Sequence, residues 1–205
     1  MANINAPFGF RPVMHLNGSS YNGQSNLYYV AASNGNAIYI GDAVISAATG
    51  DANGVPGVAK ATAGTETVRG VVVGILGAYP GTSMQGAALN LEQPGYIPAA
   101  NATAVYVLVA DAADLVCEIQ CGSVATNLTT ANLNKNASFT VAAPSVATNP
   151  ISGSYLANAT IATTNTLNLK IRGLVKEPNN AVGAYQKVYV SFNLHELNNA
   201  GTTAI

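Results

Sequence analysis

Two runs near the C-terminal end constrain the fold more than any other feature. In Leu167-Asn168-Leu169-Lys170-Ile171-Arg172, and again in Lys187-Val188-Tyr189-Val190-Ser191-Phe192-Asn193-Leu194-His195, apolar and polar side chains alternate residue by residue. A period of two is the signature of a strand, because successive side chains point to opposite faces. Strands with one wet face imply an antiparallel sheet covered on one side. The connection between them, Glu177-Pro178-Asn179-Asn180-Ala181-Val182-Gly183, has loop chemistry.

Shorter strands precede this pair. Leu27–Val30, Ala37–Ile40 and Ala43–Ile45 are separated by turn residues, Ser33-Asn34-Gly35-Asn36 and Gly41-Asp42. Gly50 to Gly57 reads as a loop, with Asn53-Gly54 and Pro56-Gly57 as turn signals. Val68 to Leu76 is a β-branched apolar run interrupted by Gly70 and Gly74, which favours strand over helix. Ala104–Val109 and Leu115–Cys121 flank Asp111-Ala112-Ala113-Asp114, a link short enough for an antiparallel hairpin. The predicted fold class is mainly β: an antiparallel sheet sandwich or barrel, with an extended N-terminal arm and a long loop-rich insertion.

The predicted organisation has three parts. Residues 1–27 form an arm or edge region. Its Ala6-Pro7-Phe8-Gly9-Phe10-Arg11-Pro12-Val13 segment is extended because each proline disfavours helix in its predecessor. A disordered tail is the alternative, and the apolar cluster Phe8, Phe10 and Val13 argues against it. Residues 28–197 are the β-rich core, with residues 122–160 as an insertion of loops and short irregular strands. Residues 198–205 form a flexible tail. At 205 residues the chain is long enough to remove about 70% of its unfolded surface from water.

Charge narrows the function classes. Only 8% of residues are charged, against about 25% in an ordinary soluble domain. A net charge of −1 excludes a basic nucleic-acid binder. No cationic start followed by an apolar run opens the sequence, and the stretch Ala104–Ala110 falls far short of a membrane span. The expectation is synthesis in a cytoplasm, with no membrane partner.

No constellation converges on catalysis, so no enzyme activity, cofactor or metal is expected. Cys117 and Cys121 alternate with more polar neighbours on one half-buried strand, about 13 Å apart, and read as small buried hydrophobes. Zinc would need partners, and His15 and His195 are remote in sequence. Gly70, Gly74 and Gly77 lie within or at the end of an apolar run instead of leading it into a helix, so they are not a phosphate loop. His195 falls on the wet face by alternation and reads as solvated. Asp111 and Asp114 suit turn chemistry better than acid–base work or a calcium site. Lys170, Arg172, Lys176 and Lys187 gather in the C-terminal strand pair. They either solubilise an exposed face or form a patch that docks on an acidic neighbour.

Three stretches carry a resemblance: Ala6 to Val13, Gly41-Asp42-Ala43-Val44, and Gly70-Val71-Val72-Val73-Gly74. Together they resemble small structural proteins of tailed bacteriophages, above all the capsid decoration, or cement, proteins. The similarity extends loosely through Tyr106–Leu115 to the final strand pair, and residues 122–160 match no part of it. The resemblance implies a β-rich protein, often a homotrimer, on the outer surface of the virion head, where it bridges major capsid protein subunits. Residues 2–13 are then expected to reach a neighbouring subunit, with Phe8, Phe10, Arg11 and Val13 as contacts. A tail-tube or head-completion protein is the alternative within virions. A carbohydrate-binding module with Tyr21, Tyr28, Tyr29 or Tyr39 as a sugar platform is the alternative outside them.

Overall fold

The computed structural model describes residues 3–62, 64–76, 95–123, 128–144 and 150–198. Among them the β-branched runs become the walls of a closed barrel of order β2-β5-β4-β6-β8. These strands are β2 (Asn26–Val30), β4 (Ala43–Gly50), β5 (Pro56–Lys60), β6 (Gly70–Leu76) and β8 (Val105–Ala110). Neighbours pair antiparallel except at the seam, where β2 meets β5 in parallel through Tyr29 and Gly57. Gly57 is required there, because a Cβ would lie 2.4 Å from the Thr49 carbonyl oxygen. A small barrel is filled by its own side chains. Here Tyr28, Val30, Val44, Val58, Val72, Val107 and Val109 fill it, with Ile38 and Ile97 from the ribbon of β3 (Ile38–Tyr39) and β7 (Tyr96–Ile97).

Against this barrel lies a six-stranded antiparallel sheet of order β1-β9-β13-β12-β10-β11. Its members are β1 (Arg11–His15), β9 (Leu115–Gln120), β10 (Asn136–Thr140), β11 (Tyr155–Ala162), β12 (Leu169–Leu174) and β13 (Lys187–Phe192). A second core fills the space between. The sheet contributes Cys117, Ile119, Phe139, Leu156, Leu169, Ile171, Val188 and Val190, and the barrel wall contributes Ala43, Val71 and Ala110. Adjacent residues therefore serve different cores, as strand alternation requires: Val71 faces the sheet and Val72 the barrel interior.

The mainly β prediction holds, and two of its details need correction, the loop at Gly50 to Gly57 and the one-sided burial of β9. Of the two readings of the N-terminal region, arm or edge, the structure has the edge: β1 is an outermost strand of the six-stranded sheet. Arg11–His15 pairs with β9 in the order Arg11↔Glu118 to His15↔Leu115, and the boundary at residue 27 falls inside β2. Gly50 to Gly57 is not wholly loop, since β4 runs to Gly50 and β5 starts at Pro56, the first residue of a strand being a place proline tolerates. As expected of an insertion that holds short strands, residues 122–160 supply all of β10 and six of the eight residues of β11. Their polar side chains satisfy backbone groups: Ser138 N donates to Thr160 Oγ1 (2.8 Å) and Asn158 Nδ2 to Gly122 O (3.0 Å). Strand β9 is buried on both faces instead of one, because the N-terminal segment covers its polar side. Ala6 N donates to Gln120 Oε1 (3.0 Å), and Gln120 Nε2 donates to Asn5 Oδ1 (3.1 Å). Of the expected tail at 198–205, all but Asn198 lies outside the described residues.

Candidate interaction surface

The stretches that carry the resemblance meet in space. Phe10 N donates to Gly41 O (2.8 Å), Gly41 N donates to Val72 O (2.8 Å), and Ser152 N donates to Ile40 O (2.9 Å). Gly9 and Gly41 hold φ of 71° and 89°, where a side chain is strained. A Cβ on Gly9 would also approach the Gly41 carbonyl oxygen to 2.4 Å. These motifs are thus a junction between the N-terminal segment, the barrel and residue 152.

Of the four contacts expected near the N-terminus, Phe10 is corrected. It is 2% exposed and packs on Phe139 edge-to-face at 5.1 Å and on Phe192 at 5.4 Å. Burial of this kind makes it an anchor of its own core. Phe8 and Val13 are half-buried and Arg11 is exposed. The Arg11 guanidinium sits 4.5 Å from the centre of the Phe8 ring. Phe8 and Pro12 share an apolar groove of about 290 Å³ with Tyr21, Ile40, Val73 and Ile151.

The basic side chains lie mostly on the outer face of the six-stranded sheet. Arg172 is exposed and its Nε donates to Ser191 Oγ (2.8 Å); Lys170 pairs with Ser191 across β12 and β13. Lys187 Nζ is 2.7 Å from Glu177 and 3.8 Å from Glu118. Lys176 is exposed in the loop after β12. Strand β1 adds Arg11, 3.7 Å from Glu118, to the same face. The sequence groups the four C-terminal residues but not Arg11, because the register of β1 against β9 is set by contacts about a hundred residues apart. Arg11, Lys170, Arg172 and Lys187, four of the chain's eight basic residues, thus share this face with Glu118, and Lys176 and Glu177 lie in the adjoining loop of a chain whose net charge is −1.

Other charged groups tie the fold together internally. Buried Asp42 lies 2.8 Å from Lys60 Nζ, accepts from Tyr39 N (2.9 Å), and accepts from Ser152 Oγ (2.5 Å). Lys60 Nζ also donates to Ala37 O (3.0 Å). Asp111 departs from its expected turn role. It accepts from Asn26 Nδ2 (2.8 Å) and the Tyr28 hydroxyl (2.6 Å), and lies 3.1 Å from Arg69 Nη2. Burial and the Asp111 carboxylate push the Tyr28 phenol up to about 12, with the Arg69 guanidinium opposing. Asp114 meets His15 Nδ1 at 3.0 Å.

His195 is also a correction: it is 1% exposed. Strand β13 ends at Phe192, and Asn193 N and Leu194 N both donate to Asn168 O. That bend breaks the alternation and turns the imidazole inward. Burial, reinforced by the Arg69 charge, lowers its pKa below the usual value. Burial raises both thiols, Cys121 to about 12 and Cys117 further.

The four tyrosines offered as a sugar platform do not share a face. Tyr28 is buried in the Arg69 network, and Tyr29 packs on Tyr106 at 5.7 Å. Tyr21 lies 6.3 Å from the His15 ring, and Tyr39 stacks on Tyr96 at 5.1 Å with Lys60 Nζ 5.1 Å from its ring centre. Among the described residues, no group of three or more His, Cys, Asp or Glu side chains is placed to hold a metal. None of their helices is long and apolar enough to cross a membrane. Compared with protein-family models, curated proteins and solved structures, the chain matches none.

Proposed function

We propose that this chain is a structural virion protein, a capsid decoration protein that docks on the outer surface of a phage head and bridges major capsid protein subunits. The observation that carries the reading is the predominantly basic sheet face, where Arg11, Lys170, Arg172 and Lys187 outnumber Glu118, with Lys176 and Glu177 in the adjoining loop. A cationic face on a low-charge body gives orientation on an acidic lattice without strong repulsion between neighbouring copies. Rigid placement of that face on two packed layers suits a protein whose task is to hold a geometry. The resemblance adds support, since its motifs coincide with the junction that fixes the N-terminal segment.

The test is co-sedimentation of the purified chain with undecorated heads of the phage that carries it, alongside light-scattering mass of the free protein. Saturable binding that weakens with added salt and a threefold mass are the expected results. Rings or tubes of the protein alone, with no binding to heads, would replace the decoration reading with the tail-tube reading.

A further inference from the structure

Just past the end of β9, two successive amides bond to two different elements. Cys121 N donates to Gln186 O (2.8 Å), in the loop of residues 175–186, and Gly122 N donates to Leu156 O (3.0 Å), in β11. The residues just before those acceptors are both tyrosines, so Tyr185 and Tyr155 are brought to the same strand end. Gly122 makes room for one of them: a Cβ there would lie 2.7 Å from the Tyr155 ring. Tyr185 holds a φ of 56°, which is uncommon for a bulky side chain. Its neighbour enforces that conformation, since Gln186 is buried and its Oε1 accepts from Gly183 N (2.8 Å). Strain kept in place by its surroundings clusters at binding positions.

The N-terminal segment closes a third side. Asn3 Nδ2 donates to the carbonyls of Ala181 and Ala184, each at 2.8 Å, and Gln120 Nε2 donates to Asn5 Oδ1 (3.1 Å). The result is a cleft of about 270 Å³, lined by Tyr155, Tyr185, Asn5, Gln120 and Ser123 beside Gly122. That volume is near the lower end for ligand sites and suits a molecule the size of one ring.

The lining selects the ligand. Among the described residues, no Asp, Glu, Lys, Arg or His lines the cleft. An ionic ligand would shed its hydration there and meet no counter-charge. Two phenols, two carboxamides and one hydroxyl offer donors and acceptors without charge. The Tyr155 and Tyr185 side chains have no hydrogen-bond or ring partner among the described residues. Tyr21, Tyr28, Tyr29 and Tyr39, by contrast, are all engaged internally. An aromatic ring has an apolar face and, in tyrosine, a polar tip, while a planar amide sets a donor beside an acceptor. A sugar ring is the complement of both, with C–H groups on its faces and hydroxyl pairs around its edge. We propose that this cleft binds a neutral hexose ring of a glycan, with Tyr155 and Tyr185 against its C–H groups and the Asn5 and Gln120 amides on its hydroxyls. The site goes beyond the decoration reading and stands on different residues, so each can fail alone.

The test is titration of glucose, galactose and mannose, each beside its uronate, into the full chain, read by saturation-transfer NMR. At least one neutral hexose is expected to bind saturably, and its uronate at least tenfold more weakly. Tyr185→Gly removes the ring and relieves the φ, so the variant should unfold as cooperatively as wild type yet bind the hexose at least tenfold more weakly. Tyr155→Leu should weaken it to a similar degree. No saturable binding of any of the neutral hexoses overturns the proposal. Equal binding of hexose and uronate overturns the choice of a neutral ligand, and wild-type-like binding by both tyrosine variants overturns the location. Co-sedimentation with heads is decided separately from all of these outcomes.

Discussion

Replacing Phe10 by alanine separates its two candidate roles. As a docking anchor, Phe10 would be exposed, and its loss would weaken binding while leaving stability intact. In the structure it is 2% exposed between Phe139 and Phe192. Removing a buried phenylalanine costs about 3–5 kcal/mol in transfer and cavity terms. The two aromatic contacts, each about 0.5–1.5 kcal/mol beyond area, overlap with that figure and favour its upper half. We take about 4 kcal/mol. For a chain of 205 residues, each kcal/mol moves the thermal midpoint by roughly 2–4 °C, so the expected fall is about 8–16 °C. Calorimetry or near-ultraviolet circular dichroism measures it directly. Phe10→Leu, which keeps most of the volume, should cost about 1.5 kcal/mol or less. A Phe10→Ala midpoint within about 3 °C of wild type would refute the packing argument and restore Phe10 to the surface.

Two further outcomes follow from the buried ionic groups. Lys60→Met leaves Asp42 buried without its cation, and should destabilise by about 3–5 kcal/mol in urea unfolding; Asp42→Asn added to it should recover a large part, and no recovery would show that Lys60 acts through packing. The lowered pKa of His195 means that the unfolded chain takes up the proton first as pH falls below about 6.5. Its contribution to stability is therefore complete above that pH and lost below it, and His195→Gln should flatten the decline in unfolding midpoint between pH 7 and pH 5; an unchanged slope would refute the assignment.

Strands with alternating or β-branched sequence were legible in advance, because burial on one or both faces writes its period into the chain. Strands β6, β8, β9, β12 and β13 lie within a residue or two of their expected positions, with β13 ending earlier. What escaped was non-local. Strand β1 contains Pro12 and lacks a period of its own, and it exists because β9 accepts it as an edge. Strands β10 and β11 are rich in Asn, Ala, Ser and Thr, which satisfy one another only after pairing. The barrel closes through a single parallel pairing of Tyr29 with Gly57 that no local signal announces. At the site level, the basic residues of the C-terminal pair were visible as a group. The inward turn of His195 was not, because one shared carbonyl, Asn168 O, reverses the phase of the run. The hydrogen bonds from Asn3 Nδ2 to the carbonyls of Ala181 and Ala184 tie the N-terminal segment to the loop between β12 and β13, beyond the reach of any local pattern.

Strand β6 supplies Val71 to one core and Val72 to the other, and β4 and β8 do the same with Ala43 and Val44, and with Ala110 and Val109. Each is a party wall. Losing or gaining one residue within such a strand would exchange both linings at once, which in β4 and β8 puts valines where alanines fit and the reverse. Changes in chain length are therefore confined to the connections, such as residues 175–186, where the surface can be remade without disturbing either room.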